Sequence, residues 1–243
     1  MELIETVRVE RGRAVLLPYH YKRLKRGALA LEIPLEISAK EFEELLLWKW
    51  EESGGGVKLV RLSVNEEGSI SLSARECEKR EKVKLKSVYS VKRVLSALSP
   101  HKTREGAEFS GFALKEAKRS GYDEALIYSP EGFVSECAFA NIFFVKGGVL
   151  FTPCLKTGCL RGTRREFVVN LAREVGIPVV EGFFEVRELL TADEVFITSA
   201  REDACPVVEI DGFRLGELPG KPLYRRIREV IEWKEFKGGA ESP

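Results

Sequence analysis

One lysine, one carboxylate and several anion-binding groups stand out among the 243 residues of this chain for the chemistry they could do together. Lys102 closes the approach Ser96-Ala-Leu-Ser-Pro100-His101 and precedes a long helical run, Gly106 to Ser120. A lysine amine can attack a carbonyl carbon and afterwards carry protons. Taken alone, though, one of 39 basic residues is most simply a solvated surface charge. Glu136 lies in Val134-Ser-Glu-Cys-Ala-Phe-Ala-Asn141-Ile-Phe, where burial of a carboxylate is costly unless a donor meets it. A protonated ring nitrogen is one such donor, worth about 1.5–3 kcal/mol as a charge-assisted hydrogen bond. The plainer reading is an exposed strand-edge glutamate after the Pro130-Glu-Gly132 turn. Gly162-Thr163-Arg164 opens a helix, and free N–H groups there attract an anion. The helix dipole adds only ~0.3–1 kcal/mol at an exposed end, so a cation is needed as well. Arg23, in His20-x-x-Arg23-Leu24, offers a planar bidentate fork. By itself it reads as one more solvated helix arginine.

These residues need elements to hold them. Residues 3–9 and 13–17 predict a hairpin around Arg11-Gly12. A helix follows from about Tyr19 to Leu31 and stops before Pro34. Ser38-Ala-Lys-Glu41 is a capping box, opening a helix with Phe42, Leu45, Leu46 and Lys49 on successive turns. Gly54-Gly-Gly56 ends it as a turn; no Gly-Lys-Ser/Thr follows, so it is not a phosphate loop. Strands at 57–64 and 69–73 complete a small α/β unit. The charged stretch Arg75 to Lys86 marks the boundary, giving domains 1–80 and 81–243. The second unit opens with a strand near 85–91 whose end leads to Lys102. Its helix at 106–120 presents Phe109, Ala113 and Ala117 on one face. Asp123-Glu-Ala-Leu-Ile-Tyr128 follows, a Pro130-Glu-Gly132 turn leads to a strand at 133–136, and strands at 141–145 and 148–152 precede a helix from about Thr163 to Val175 that stops at Gly176. Strands at 178–180, 194–198, 206–210 and 213–215 and a last helix at 222–234 finish the chain. The expected class is α/β with mixed sheets, in a small N-terminal and a larger C-terminal domain.

Composition narrows the function classes. Apolar residues make up 44% and charged residues 32%, as in a soluble globular protein. A net charge of +1 with interleaved signs offers no nucleic-acid or membrane surface. No apolar run reaches the ~20 residues of a membrane span, and no signal-like start follows Met1, so the cytoplasm is the default setting. Five cysteines without a C-x-x-C pair argue against a disulfide framework, and two histidines, His20 and His101, against a zinc site; no metal is expected. The absence of glutamine and the richness in Lys, Glu and Arg are thermophile-like.

Read together, Pro18-Tyr-His20-Tyr-Lys-Arg23-Leu24, His101-Lys102-Thr103, Gly132-Phe-Val-Ser-Glu136 to Phe144, and Leu160-Arg-Gly162-Thr163-Arg164-Arg165 carry a resemblance. The chain resembles the D-amino-acid/branched-chain aminotransferase family of fold type IV, which also contains aminodeoxychorismate lyase. The resemblance spans Ile4 to the end and implies pyridoxal 5'-phosphate (PLP) in a cleft between the two domains. It implies that Lys102 links covalently to the cofactor and that Glu136 keeps the pyridine nitrogen protonated. It further implies that Arg23, Gly162, Thr163 and Arg164 hold the phosphate, with Thr198-Ser199-Ala200 as a second phosphate loop. Arg61, in Val60-Arg-Leu-Ser-Val64, or Arg201 is the implied cation for the substrate carboxylate. A homodimer is implied, the partner's small domain completing the site.

Several positions depart from the family pattern. Glu105 and Gly106 stand where a small polar residue is common. The turn Asn65-Glu-Glu-Gly68 is shorter and more acidic than usual, and family members carry a further segment before Ile4. In Glu5-Thr6-Val7-Arg8-Val9, lyase-like members carry threonine where transaminases commonly carry glycine or valine. Thr6 is therefore a candidate for the step that expels the enolpyruvyl group, against the simpler reading of a β-branched strand residue. The leading expectation is 4-amino-4-deoxychorismate lyase, which makes 4-aminobenzoate and pyruvate for folate synthesis. The alternatives are a branched-chain or D-amino-acid aminotransferase and a degenerate PLP-binding protein without turnover.

Overall fold

The structure, a computed structural model, describes residues 1–216, 220 and 222–237. Its first strand explains the placement of much else. β1 (Leu3–Glu10) is buried along its whole length. Because strand side chains alternate between faces, one set must be apolar and the other need not be. Leu3, Val7 and Val9 pack with Leu24, Phe42 and Leu46 under two helices, α1 (Leu17–Ala30) and α2 (Ala39–Glu52). Ile4, Thr6 and Arg8 belong to the opposite face. A short β2 (Arg13–Ala14) closes the hairpin, and β3 (Lys58–Val64) and β4 (Ile70–Glu76) extend the sheet in the order β2-β1-β3-β4, antiparallel throughout. The expected capping box is present: Glu41 N donates to Ser38 Oγ at 3.1 Å, and Ser38 N donates back to Glu41 Oε2 at 2.8 Å.

The larger sheet is mixed. Its strands are β5 (Val83–Lys92), β6 (Glu124–Tyr128), β7 (Val134–Cys137), β8 (Asn141–Lys146), β9 (Val149–Pro153), β10 (Val179–Gly182), β11 (Glu194–Thr198), β12 (Cys205–Ile210) and β13 (Phe213–Arg214). The order is β10-β9-β8-β11-β12-β5-β6-β7, with β13 beside β12. The pairs β10–β9, β12–β5 and β5–β6 are parallel. Apolar side chains cover both faces. α3 (Arg104–Arg119) lies on β5 and β6, while α4 (Thr163–Glu174) and α6 (Leu223–Glu232) bury Phe167, Val168, Ile227 and Ile231 against Phe143 and Phe196. Val15 and Leu16, just ahead of α1, join that second core and tie the two parts together. The architecture is the mixed α/β, two-domain one that was expected.

Three local expectations need correction. Phe109 does not share the packed face of α3: it is 62% exposed, and Ser110, Ala113 and Ala117 face the sheet. Close packing on β5 and β6 selects the small side chains, and Ser110 in addition accepts a hydrogen bond from Arg93. Lys102 does not follow a strand end. β5 stops at Lys92, and turns fill the interval. A short helix, α5 (Val186–Leu190), with its own capping box from Glu185 and Glu188, was not foreseen. The last helix continues as a π-helical turn from Trp233 to Lys237. Residues 217–219, 221 and 238–243 of the expected second domain lie outside the described residues.

Candidate active site

Every residue expected to serve the site lines one cavity of about 710 Å³. Thr6 and Arg61 enter it from the small sheet, where they are cross-strand partners. Lys102, Glu136, Arg23, the Gly162-Thr163-Arg164 helix start, Thr198-Ser199-Ala200 and Arg201 enter it from elements far apart in the chain.

Backbone bonds hold Lys102 to β1. Its carbonyl accepts from Ile4 N at 2.8 Å, Arg104 N donates to Glu2 O at 2.8 Å, and Thr103 bridges to Leu3. Thr103 then caps α3, its Oγ1 accepting from Gly106 N at 3.2 Å. The Lys102 amine has no hydrogen bond or ion pair among the described residues. Burial lowers it to about 7, the positive charge of Arg23 adding to the effect and Glu5 opposing it. An amine so tuned is half unprotonated near neutrality and fit for nucleophilic and proton-transfer work.

Glu136 is buried on β7, which excludes the exposed-edge reading. Its carboxylate is met by three groups, of which the sequence did not single out Arg93. Arg93 Nε stands 2.7 Å from Oε1, while Leu160 N and Asn141 Nδ2 donate to Oε2 at 3.1 and 3.3 Å. Burial raises the carboxyl and Arg93 opposes it, with a net upward result. Arg93 also donates to Ser110 Oγ at 2.6 Å, linking the carboxylate to α3. Gly158, at φ +82°, lets the loop before Leu160 lie on the Arg93 carbonyl, which a Cβ would meet at 2.8 Å. The signal for Arg93 was indirect: a buried carboxylate demands a cation, but its position is not local in the chain.

Arg23 is part of an ion pair. Its Nε and Nη2 donate to Glu5 Oε1 and Oε2 at 2.6 and 2.7 Å. Burial alone would raise Glu5, but Arg23 and His20 hold it well below the usual carboxylate range. Three of the five guanidinium N–H groups remain for the cavity.

At Gly162, a Cβ would lie 1.9 Å from Asn141 Oδ1, so the helix start requires glycine. Thr163 Oγ1 is 3.4 Å from His20 Nε2. The Arg164 side chain is drawn inward, to Asp203 Oδ1 at 3.3 Å and His20 Nε2 at 2.5 Å, although its Nη2 has no partner. Thr198 Oγ1 is buried and unpartnered. Ser199 Oγ, by contrast, accepts from Arg201 N at 3.1 Å and donates to Glu202, shaping the turn that carries Ala200. Among the described residues, no group of His, Cys, Asp or Glu could hold a metal ion, and no helix is long and apolar enough to cross a membrane.

The residues present fit PLP. A free amine at about 7, a buried carboxylate, and an unpartnered hydroxyl and guanidinium nitrogen beside a helix start match an aldehyde, a ring nitrogen and a phosphate. A profile of amino-transferase class IV matches residues 2–210. The chain belongs to amino-transferase class IV.

Within class IV, the chain is 32% identical over 254 residues to a Methanocaldococcus jannaschii protein provisionally named a branched-chain-amino-acid aminotransferase. That similarity covers 98% of this chain and 88% of the relative. The aminodeoxychorismate lyase of Bacillus subtilis is 29% identical over 265 residues, with the same coverage of 98% and 88%. Among solved structures, the branched-chain aminotransferase of the thermophilic archaeon Thermoproteus uzoniensis, solved with norvaline, superposes with a TM-score of 0.83 at 28% identity, over 97% of this chain and 87% of that one.

Proposed function

We propose that this protein is a PLP-dependent 4-amino-4-deoxychorismate lyase that forms 4-aminobenzoate and pyruvate. The observation that carries the lyase reading is the Thr6 hydroxyl, which is buried, unpartnered and on the wall of the cavity that Lys102 also lines. A buried hydroxyl left without a protein partner is unfavourable and calls for a ligand to satisfy it.

Lys102 would carry the cofactor, Glu136 would face its ring nitrogen, and Arg23, Thr198, Ser199, Ala200 and the helix start at Gly162, Thr163 and Arg164 would hold its phosphate. When bound, PLP supplies a sink for the electrons left at the amine-bearing carbon. Lys102 Nζ, near neutrality, takes the proton from that carbon. The Thr6 hydroxyl orients the enolpyruvyl oxygen while its bond to the ring carbon breaks with the electron pair leaving on that oxygen, and the departing enolate takes up a proton at its terminal carbon to become pyruvate. Arg61 or Arg201 holds a substrate carboxylate through a bidentate fork. On the same reading, residues 1–80 and 81–243 are the two domains, a homodimer is the working unit, and the setting is cytoplasmic folate synthesis.

A second reading, a branched-chain or D-amino-acid aminotransferase, is favoured by the 32% identity to the M. jannaschii relative along nearly the whole chain. Purified protein assayed with aminodeoxychorismate, beside amino acids paired with 2-oxoglutarate, separates the two. Pyruvate release supports the lyase; amino transfer without pyruvate hands the function to the second reading. In either case the protein should turn yellow with PLP, and borohydride should fix the cofactor to Lys102. A reduced pyridoxyl group on another lysine would remove the whole site assignment.

A further inference from the structure

Residues 77–82 carry the chain from the small sheet to the large one, and all but Cys77 are charged. The simplest reading of such a segment is solvated charge. Arg80 departs from it. Its side chain is only 20% exposed, and each of its three guanidinium nitrogens faces a protein oxygen. Nε donates to Glu202 Oε1 at 2.6 Å, Nη1 donates to the Asp123 carbonyl at 3.2 Å, and Nη2 lies 3.6 Å from Glu124 Oε2. The backbone is pinned as well. Arg228 of α6 donates from Nη2 to the Arg80 carbonyl at 3.1 Å and from Nε to the Ala204 carbonyl at 2.6 Å. One guanidinium thus sets the connecting segment against the end of the turn after β11.

That turn is where the contacts of Arg80 lead. Glu202 is buried, and its second carboxylate oxygen accepts from Ser199 Oγ. Ser199 Oγ in turn accepts from Arg201 N at 3.1 Å and from Glu202 N at 3.4 Å. The hydroxyl commits its proton to Glu202 and its lone pairs to two amides, which fixes the backbone around Ala200. What the turn leaves for a ligand is Thr198 Oγ1, buried and unpartnered, and the Ala200 amide, which meets no acceptor among the described residues. Such donors weaken steeply when they are misaligned, so the orientation of the turn decides whether they hold an anion. Arg80 lines the cavity, yet its nitrogens are already turned to protein oxygens, and both oxygens of Glu202 are engaged.

We infer that Arg80 is a positioning residue for the cofactor phosphate: acting through Glu202 and Ser199, it holds the turn after β11 at the orientation in which the Ala200 amide and the Thr198 hydroxyl meet that phosphate. This rests on the reading of Thr198-Ser199-Ala200 as a phosphate turn and adds to it a residue, from the segment between the sheets, that touches no ligand.

The test compares PLP with pyridoxal, which carries the same aldehyde for Lys102 but no phosphate, in binding isotherms on the cofactor-free protein. Wild type should bind PLP more tightly. Arg80→Gln should weaken PLP about tenfold, the scale of one charged hydrogen-bonded contact, and leave pyridoxal unchanged. Arg80→Lys, which keeps the charge and gives up the fork, should recover part of the loss. Glu202→Gln should reproduce the loss seen in Arg80→Gln, and the double variant should lose no more than either, because the two residues act along one path. Equal losses for PLP and pyridoxal would reduce Arg80 to a stability contact, and additive losses would mean that it reaches the phosphate by itself. Either result overturns the inference, as does unchanged PLP affinity in Arg80→Gln. Should that variant fail to fold, Arg80→Lys and Glu202→Gln carry the same comparison. Thr198→Val separates the inference from the reading beneath it. If Thr198→Val abolishes the preference for PLP while Arg80→Gln keeps it, the phosphate turn stands and Arg80 has no part in it; if neither alters the preference, both fall.

Discussion

Arg23 grips both carboxylate oxygens of Glu5, so the strand that carries Thr6 and the helix that carries the expected phosphate arginine are clamped by one buried ion pair. The clamp continues inward. His20 Nδ1 donates to Glu5 Oε2 at 2.8 Å, and Arg164 donates to His20 Nε2. Asp203 accepts from Arg164 and, at 2.6 Å, from Arg8 of the same first strand. Burial drives His20 down to about 3, so it is a neutral link whose two ring nitrogens serve one acceptor and one donor. This wall of the cavity is thereby built on a charge network that joins β1, α1, α4 and the turn after β11.

Arg23→Ala should act twice. It should weaken PLP binding by about 1.5–3 kcal/mol if one charged contact to the phosphate is lost. It should also destabilise the cofactor-free protein by roughly 3–5 kcal/mol, because Glu5 is left buried without its partner. Replacing Glu5 and Arg23 together by Ala should recover part of the stability but none of the cofactor affinity. Denaturant titration and a PLP binding isotherm read the two effects separately; unaltered affinity in Arg23→Ala would end the phosphate assignment.

The depressed Lys102 amine makes a signed pH prediction. Its folded value of about 7 lies below the ordinary 10.5, so between these values the unfolded chain binds more protons than the folded one. This residue therefore opposes folding of the cofactor-free protein most strongly below pH 7, and the opposition is relieved as pH rises toward 10.5. Lys102→Met should remove that part of the slope. Stability curves of wild type and variant that stay parallel from pH 7 to 10 would place the amine in open solvent. PLP uptake should likewise slow on acidification below pH 7.

Glu136→Gln should keep the cofactor bound but sharply lower turnover, because an amide no longer favours a protonated ring nitrogen, and it leaves Arg93 without its carboxylate. Absorbance and steady-state assays on the same preparation suffice. Cofactor lost from Glu136→Gln and retained in Arg23→Ala would mean that the ring and phosphate ends are reversed.

Thr6→Val is nearly isosteric and suits a strand, so it removes the hydroxyl and spares the fold. Pyruvate release should fall by about 10²-fold or more, the usual scale for a positioned proton-transfer group, with the cofactor spectrum intact. Unchanged release would take Thr6 out of the mechanism.

What was legible in the chain was local or carried by motif. Ser38 and Glu41 cap a helix because their partners are three residues apart, and the turn at Arg11-Gly12 sets a hairpin by its own backbone preferences. The pattern along residues 3–9 and the residues around Lys102, Glu136 and Gly162 likewise marked a strand, a candidate site and a helix start. These signals act over one or two turns of chain, so they survive without knowledge of the fold. The partners of the charged groups did not. Glu5 with Arg23, Arg93 with Glu136, and Arg164 with Asp203 are choices among many possible pairs, made only when sheet order and packing bring distant segments together. Phe109 and Ser110 are adjacent residues, and which of them faces the sheet was decided by the closeness of β5 and the reach of Arg93. Arg75 had no motif at all; its place on the cavity wall follows from strand register, which tertiary structure alone sets.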